Sequence, residues 1–407
     1  MKPFAPNSVA IATRDDLCVP GDANRSSGWK RSWRDAAWVF ALSRLAIIGL
    51  TAMSTAIFPL FSQTASPSSA EHLHGWYHFD AIVYTVIAHQ GYTSQRYTAF
   101  FPLWPLLLHI VGAPFGGTQD SYYVAGLVLS NTCFFFALVL FHRLISVEFD
   151  PTIARVGLIF LAFYPYALFF FAGYTESLFL LLCLSLFLLL RQQQMRYWWL
   201  AGVLGFLATL TRSTGIILVI PFLMLALQRY WLGQQFARAA WGQKAQSLAS
   251  ACLVPVGLLT YMLYLGITKG NPLLFSTAEG IWHRHLAVPG IEFLWTIGLV
   301  LHQHLFFQLL DIIFSLLPLI ILLLGRKRLP LHYLLFAVAI AFFSLSFPAY
   351  NSEPLASMPR YLMVIFPVFI ICALWSKRGH FSRWYLLVAL PLFALFILFF
   401  ITHRWVA

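Results

Sequence analysis

Apolar segments long enough to cross a bilayer recur along nearly the whole of this 407-residue chain. A helix needs about 20 apolar residues to span the hydrocarbon. Eleven segments are candidates: Ala36–Leu60, Tyr122–Phe141, Val156–Phe171, Thr175–Leu190, Trp198–Thr211, Thr214–Gln228, Leu248–Ile267, Leu305–Leu324, Pro330–Phe347, Tyr361–Trp375 and Trp384–Thr402. Trp198–Thr211 and Thr214–Gln228 are short and nearly continuous. Only 10% of residues are charged and 60% are hydrophobic, whereas a soluble domain carries about 25% charged residues. That composition disfavours a soluble globular fold, a disordered chain and a disulfide scaffold. The apolar stretches also outrun the roughly 10-residue alternating strands of an outer-membrane barrel. The expected fold is an all-α polytopic membrane protein.

Charge distribution orients it. The formal charge is +12, with the basic residues in short runs between apolar segments. With the N-terminus in the cytoplasm, nineteen Lys and Arg fall in inside segments and six fall outside: Arg96, Arg212, Lys269, Arg284, Arg360 and Arg404. The positive-inside rule favours this arrangement. Ala99–Phe115 is apolar but carries Pro102, Pro105 and Pro114, so it reads as a re-entrant or interfacial helix pair. Counting it as a span would invert every later loop.

Residues 1–35 read as a cytoplasmic tail, with no apolar core of a cleavable signal, and 36–407 as a single transmembrane domain. Its large outer loops are 61–121 and 268–304. The five cysteines show no metal-ligand or CxxC spacing and read as apolar fillers. No internal repeat is evident, which weakens a transporter reading.

The outside acids are Glu71, Asp80, Asp120, Glu176, Glu279, Glu292, Asp311 and Glu353. Charge near hydrocarbon is costly, so each is a functional candidate. Asp80 opens a short amphipathic helix that ends near Gly91; its carboxylate is an N-cap, a general base, or both. Glu176 lies in a turn between two spans, where a solvated helix-start acid is the plain alternative. Arg212 sits between two apolar runs, alternatively an ordinary loop cation. Arg360 precedes a span, alternatively a snorkelling interfacial residue. His283, Arg284 and His285 form a cationic cluster beside Trp282. His72, His74 and His78 permit a metal site, although no recognisable ligand spacing supports one. Nucleotide-binding, serine-hydrolase and zinc-protease motifs are missing.

Five blocks taken together resemble the PIG-V-like mannosyltransferases, a branch of the GT-C superfamily of polytopic glycosyltransferases. They are FDAIVYTVIAHQGY followed by AFFPLWPLL, then FFFAGYTESLFLLL, ATLTRSTGII, NPLLFSTAEGIWHRH and SMPRYLMVIFPVF, spanning Phe79 to Phe369. One position departs: Phe79 stands where the family usually has Trp directly before the first-loop Asp. The resemblance implies a GT-C-type fold of about eleven transmembrane helices with membrane-lying helices in the first outer loop. It implies mannose transfer from a polyprenyl-phosphate donor, inversion at the anomeric carbon, and a site on the extracytoplasmic face. The first-loop Asp, here Asp80, would be the catalytic base.

The residue types suit that chemistry. A carboxylate accepts the acceptor hydroxyl's proton, and cations hold the charge of the leaving phosphate. Arg212 and Arg360 lead for the phosphate, followed by His283, Arg284 and His285. Glu176 would hold a sugar hydroxyl or orient an arginine, and Trp76, Tyr84, Tyr92, Trp104 and Tyr174 offer sugar-stacking faces. The expected partners are the lipid-linked donor, a glycolipid or glycan acceptor, and the bilayer, with no nucleic acid. No cofactor is firmly implied, and a divalent metal stays open. The competing readings are transfer of another sugar from the same carrier, a lipid-linked transporter or flippase, and a membrane scaffold.

Overall fold

The computed structural model describes residues 22–57, 75–232, 240–303, 306–350, 353–377 and 379–406. Its α-helices are α1 (Asp22–Ile57), α2 (Asp80–Gln90), α3 (Leu103–Gly112), α4 (Gln119–Glu148), α5 (Pro151–Ala162), α6 (Glu176–Leu190), α7 (Met195–Thr211) and α8 (Val219–Ala226). They continue as α9 (Trp241–Lys269), α10 (Leu274–Ile281), α11 (Ile291–Gln303), α12 (Phe306–Gly325), α13 (Leu331–Leu345), α14 (Met358–Leu362), α15 (Phe366–Trp375) and α16 (Phe381–Ile401). Among the described residues the only bridge of β type is an isolated pair, Arg284 with Ala349.

Six stretches of the described residues are long and apolar enough to cross a membrane: Gly28–Ser54, Gln119–Glu148, Ser213–Leu232, Trp241–Lys269, Gln308–Arg328 and Phe381–Ile401. They coincide with six of the eleven expected spans. The other five are short or broken. Proline is one cause: α5 stops at Ala162, and the chain resumes at Pro165 as a 3-10 turn to Phe170. Likewise α14 ends at Leu362 and α15 restarts with Pro367 in its first turn. Proline lacks the N–H that would continue the helical ladder.

Two loop boundaries also differ. α1 begins at Asp22 rather than near Ala36, so the described part of the expected tail is helical. The segment expected to be the second outer loop contains two helices, α10 and α11, the latter mostly apolar. In the segment expected to be the first outer loop, residues 61–74 lie outside the described residues, including Glu71, His72 and His74. The remainder folds as α2, a 3-10 turn Gln95–Ala99, α3 and a 3-10 turn Ala113–Phe115, with α2 and α3 packed on α4.

Local signals set several ends. Asp150 caps α5 by accepting from Thr152 N at 2.7 Å and Ile153 N at 3.4 Å, with Pro151 in the first turn, where its missing N–H costs nothing. Small residues then let α7 and α9 approach. A Cβ on Gly202 would lie 2.3 Å from Ser250 O, and one on Gly257 would lie 2.5 Å from Phe206 O. Backbone contact of this kind is how helices associate where no hydrophobic force separates protein from lipid.

The break between α5 and α6 is the feature that positions the site. Its carbonyls are buried, and unpaired buried carbonyls are costly. Side chains satisfy them. Phe170 O accepts from Arg44 Nη2 at 3.2 Å, Ser130 Oγ at 3.1 Å and Ser177 Oγ at 3.1 Å. Gly173 O accepts from Trp104 Nε1 at 3.0 Å. The loop is thereby fixed, and Glu176 follows as the first residue of α6.

Candidate active site

Four charged side chains from four distant segments meet here. Arg360 Nη2 lies 2.6 Å from Asp80 Oδ2, and Arg360 Nε lies 3.2 Å from Glu176 Oε1. Arg212 Nη1 donates to the same Glu176 oxygen at 2.9 Å. Side-chain exposure falls from 20% for Asp80 to 12% for Arg212, 6% for Arg360 and 1% for Glu176. Asp80 therefore stands at the mouth and Glu176 at the back. The plain alternatives fail on this geometry: Glu176 is not solvated, Arg360 does not snorkel and Arg212 is not a loose loop cation. Asp80 is not an N-cap either. Phe79 occupies that position without a side-chain cap, while the Asp80 carboxylate turns to Arg360.

Three polar atoms in this cluster are buried without a hydrogen bond, one of them Arg360 Nε, whose only polar contact among the described residues is the ion pair with Glu176. The other two, Arg360 Nη1 and Glu176 Oε2, have no hydrogen-bond partner among the described residues. Buried polar groups are nearly always paired, so a donor such as Nη1 beside a partly exposed acid marks a place for a ligand. Burial alone would lower the Arg360 pKa, but the carboxylates of Asp80 and Glu176 hold it well above the ordinary guanidinium value. Arg360 thus stays cationic.

Tyr361 gathers the cations. The guanidinium carbons of Arg212, Arg284 and Arg360 lie 4.9, 5.2 and 5.2 Å from its ring centroid. Each contact is a cation–π attraction, stronger where water is excluded. Arg284 also donates to Phe347 O at 3.0 Å and Ala356 O at 2.6 Å, which ties α10 to the segment leading into α14. Glu279 adds a third acid. Burial raises its carboxyl pKa, Arg284 opposes the rise and Asp80 adds to it.

Backbone conformation is unusual at this site. Among the described residues, the non-glycine positions with positive φ are Phe79 (53°), His283 (60°), Ser357 (65°) and His403 (64°). Phe79, His283 and Ser357 closely precede Asp80, Arg284 and Arg360. Such conformations cost about 1–3 kcal/mol each and persist where surrounding structure imposes them, often at functional sites. Gly215 makes the Arg212 turn possible, because a Cβ there would lie 2.4 Å from Ala208 C and O.

The remaining sequence candidates divide. Tyr174 and Tyr84 belong to the cluster. Tyr174 lies 5.2 Å from the Arg360 guanidinium and donates from Oη to His78 O at 3.0 Å. The Tyr84 phenol is pushed up by burial and by the nearby Asp80 and Glu176 charges, so it stays a neutral donor. Trp76, Trp104 and Tyr92 are built into the packing instead. Trp76 is 1% exposed, with Nε1 donating to Thr51 Oγ1 at 3.2 Å. Trp104 is wholly buried on Gly173, and Tyr92 donates to Phe100 O at 2.7 Å. None of the three has a free face for a sugar. His283 and His285 are exposed and turn to Tyr350, the first through its backbone oxygen at 2.6 Å and the second through its ring. Asp311 lies within the span Gln308–Arg328, not in a loop, and accepts from Tyr166 Oη at 3.5 Å.

No group of three or more His, Cys, Asp or Glu is placed to hold a metal ion among the described residues. The cluster's chemistry is that of a partly exposed carboxylate backed by guanidinium groups. It can accept a proton at its mouth and bind an anion behind it.

The family model described as mannosyltransferase (PIG-V) matches residues 40–266. The chain belongs to the PIG-V mannosyltransferase family. Relatives in this family include "GPI mannosyltransferase 2" of Schizosaccharomyces pombe, 27% identical over 256 residues, covering 58% of this chain and 52% of the relative. "GPI alpha-1,6-mannosyltransferase 2" of Cricetulus griseus is 30% identical over 211 residues, covering 47% of this chain and 41% of the relative. The chain thus spans about half the length of these relatives. Among solved structures, an Archaeoglobus fulgidus oligosaccharyltransferase tethered with an acceptor peptide is similar at a TM-score of 0.46 and 13% identity, covering 91% of this chain and 54% of that one. The same organism's enzyme with an inhibitory peptide and a dolichol-phosphate gives 0.42 and 13%, covering 90% and 55%.

The PIG-V match contains Asp80, Glu176 and Arg212, while Arg284, Arg360 and Tyr361 lie beyond it. Sequence reasoning passed over Tyr361, which looked like the first residue of a span. Its adjacency to Arg360 was the available signal. The C-terminal Trp405 was also missed; it lies 5.8 Å from the Arg360 guanidinium.

Proposed function

We propose that this membrane protein transfers mannose from a polyprenyl-phosphate carrier to a hydroxyl of a glycolipid or glycan acceptor, on the extracytoplasmic side of the membrane. One observation carries the reading. Arg360 joins the partly exposed Asp80 to the buried Glu176 and keeps its buried Nη1 without a partner among the described residues. A lipid phosphate supplies the acceptor oxygens that this N–H lacks.

In this reading Asp80 is the general base. It takes the proton of the acceptor hydroxyl as that oxygen attacks the anomeric carbon. The bond from that carbon to the phosphate oxygen breaks, and the electron pair leaves with the phosphate. Arg360, Arg212 and Arg284 hold the developing charge, so no acid is needed at the leaving group. Glu176 contacts Arg360 and Arg212 and fixes their forks. When phosphate draws on the Arg360 guanidinium, the ion pair with Asp80 weakens and the base is released to the hydroxyl.

Attack opposite the phosphate inverts the anomeric carbon. The Cricetulus griseus relative is named for an α-1,6 linkage; an α product from one inverting step requires a β-linked donor. The apolar outer faces of the helices suit a carrier that arrives through the bilayer.

In this reading Glu176 stands at the outer end of α6 and Arg191 at the inner end. α6 begins at Glu176, and Arg191, which pairs with Glu148, follows its last residue. Its 15 residues separate the two ends by about 22 Å.

The test is incubation of purified protein with defined polyprenyl-phosphate sugars and glycolipid acceptors, with products analysed by mass and linkage. An α-mannosylated product from the β-linked mannose carrier is expected. Turnover with another sugar only would reassign the donor, and no transfer from any carrier would remove the enzyme reading.

A further inference from the structure

The end of the chain lies against the residues that precede Asp80. His403 lies against His78 with ring centroids 3.8 Å apart and the rings tilted at 45°, and Trp405 meets Phe79 edge-on at 4.6 Å. Trp405 also lies 5.8 Å from the Arg360 guanidinium and 6.5 Å from the Phe169 ring. Two of the positive-φ residues, Phe79 and His403, belong to this junction. Strain on both sides of one contact points to a fixed arrangement. Trp405 is only partly buried, unlike Trp76, which is sealed in the core at 1% exposure.

We infer that Trp405 is the surface on which the sugar ring of the lipid-phosphate donor stacks. The inference rests on the proposed function and names a subsite within it. In the transfer step the anomeric carbon lies between the leaving phosphate and the attacking hydroxyl. The first is held by Arg360 and the second by Asp80, and these two groups are 2.6 Å apart. The sugar must therefore lie beside that pair. Trp405 touches Arg360 on one side and the neighbour of Asp80 on the other, and part of its surface is open.

An indole suits the task. A hexose presents an apolar C–H face that buries well on a large aromatic ring, while its hydroxyls remain at the edge for polar groups. Covering that face also keeps water from the anomeric carbon, which limits hydrolysis of the donor. Phe79, edge-on to Trp405, holds the indole plane, and the His78–His403 ring contact anchors the segment. Trp405 makes no proton transfer, so its contribution is to recognise the sugar.

The experiment compares two lipids on the full chain in nanodiscs: polyprenyl phosphate and polyprenyl-phosphate mannose. Wild-type protein is expected to bind the mannose-bearing lipid more tightly. Trp405→Ala is expected to lose about tenfold in affinity for that lipid, with polyprenyl phosphate bound as before. Trp405→Phe should recover part of the loss. Unchanged binding of the bare phosphate shows that the Arg360 cluster is intact. Equal loss for both lipids in Trp405→Ala would overturn the inference, because Trp405 would then only brace Arg360. An unchanged gap between the lipids would overturn it also. If wild-type protein binds neither lipid above a phosphatidylglycerol control, the donor reading itself falls and takes this subsite with it.

Discussion

Asp80 and Arg360 form a 2.6 Å ion pair, although they are 280 positions apart in the chain. The pair joins the start of α2 to α14, the short helix before α15. It explains why two segments with no local reason to meet are both held in restrictive backbone conformations. Asp80 is 20% exposed and Arg360 6%, so the acid faces outward and the cation lies behind it.

Removing Arg360 should damage both stability and donor binding. Arg360→Ala leaves Asp80 and Glu176 facing each other without the charge between them, and breaking a buried pair costs about 3 kcal/mol or more. Arg360→Lys keeps the charge but cannot reach both acids with one planar fork. Thermal unfolding in detergent should show a large loss for Ala and a smaller one for Lys, with donor affinity reduced in both. Wild-type donor affinity in the Lys variant would show that the guanidinium fork is not what binds the phosphate.

Tyr361 should act on donor affinity without touching the reacting atoms. Its ring faces three guanidinium groups at 4.9 to 5.2 Å, each contact being worth about 0.5–2 kcal/mol. Tyr361→Leu is expected to raise the donor KM about tenfold. Tyr361→Phe keeps the ring face and should stay near wild type. Steady-state kinetics with varied donor separates these outcomes, and equal KM for all three proteins would contradict the role.

Glu279 gives the account a pH dependence. Its folded pKa is raised above the ordinary 4.5, mainly by burial, with Arg284 opposing and Asp80 adding. Between those two values the folded protein keeps a proton that the unfolded chain has released. Stability therefore falls as pH climbs from 4.5 through the folded value, and below that window the group contributes no difference. Glu279→Gln should match wild type near about pH 4 and melt higher near about pH 7.5. Melting curves that stay parallel at every pH would contradict this.

Much of the site was legible because charge in apolar surroundings needs a reason. Asp80, Glu176, Arg212 and Arg360 stood out on that ground, and the structure brings all four together. Tyr361 and Trp405 did not stand out, since aromatic residues at membrane interfaces are ordinary and only the folded chain shows which cation each one faces. Trp76 and Trp104 failed for the same reason in reverse: their N–H groups serve Thr51 and the Gly173 carbonyl. The helical class followed from hydropathy, but hydropathy ran straight through Pro165 and Pro367, where the chain breaks. Glu176 opens α6 after the first break, and Arg360 lies in the five-residue helix α14 before the second.

Asp80→Asn tests the central claim most directly. The substitution keeps shape and removes the proton-accepting charge. Turnover and donor binding should be measured on the same purified protein. Sugar transfer is expected to fall by about a hundredfold or more, while the variant stays folded and still binds the lipid-phosphate donor. Transfer at the wild-type rate would contradict the assignment of Asp80 as the base.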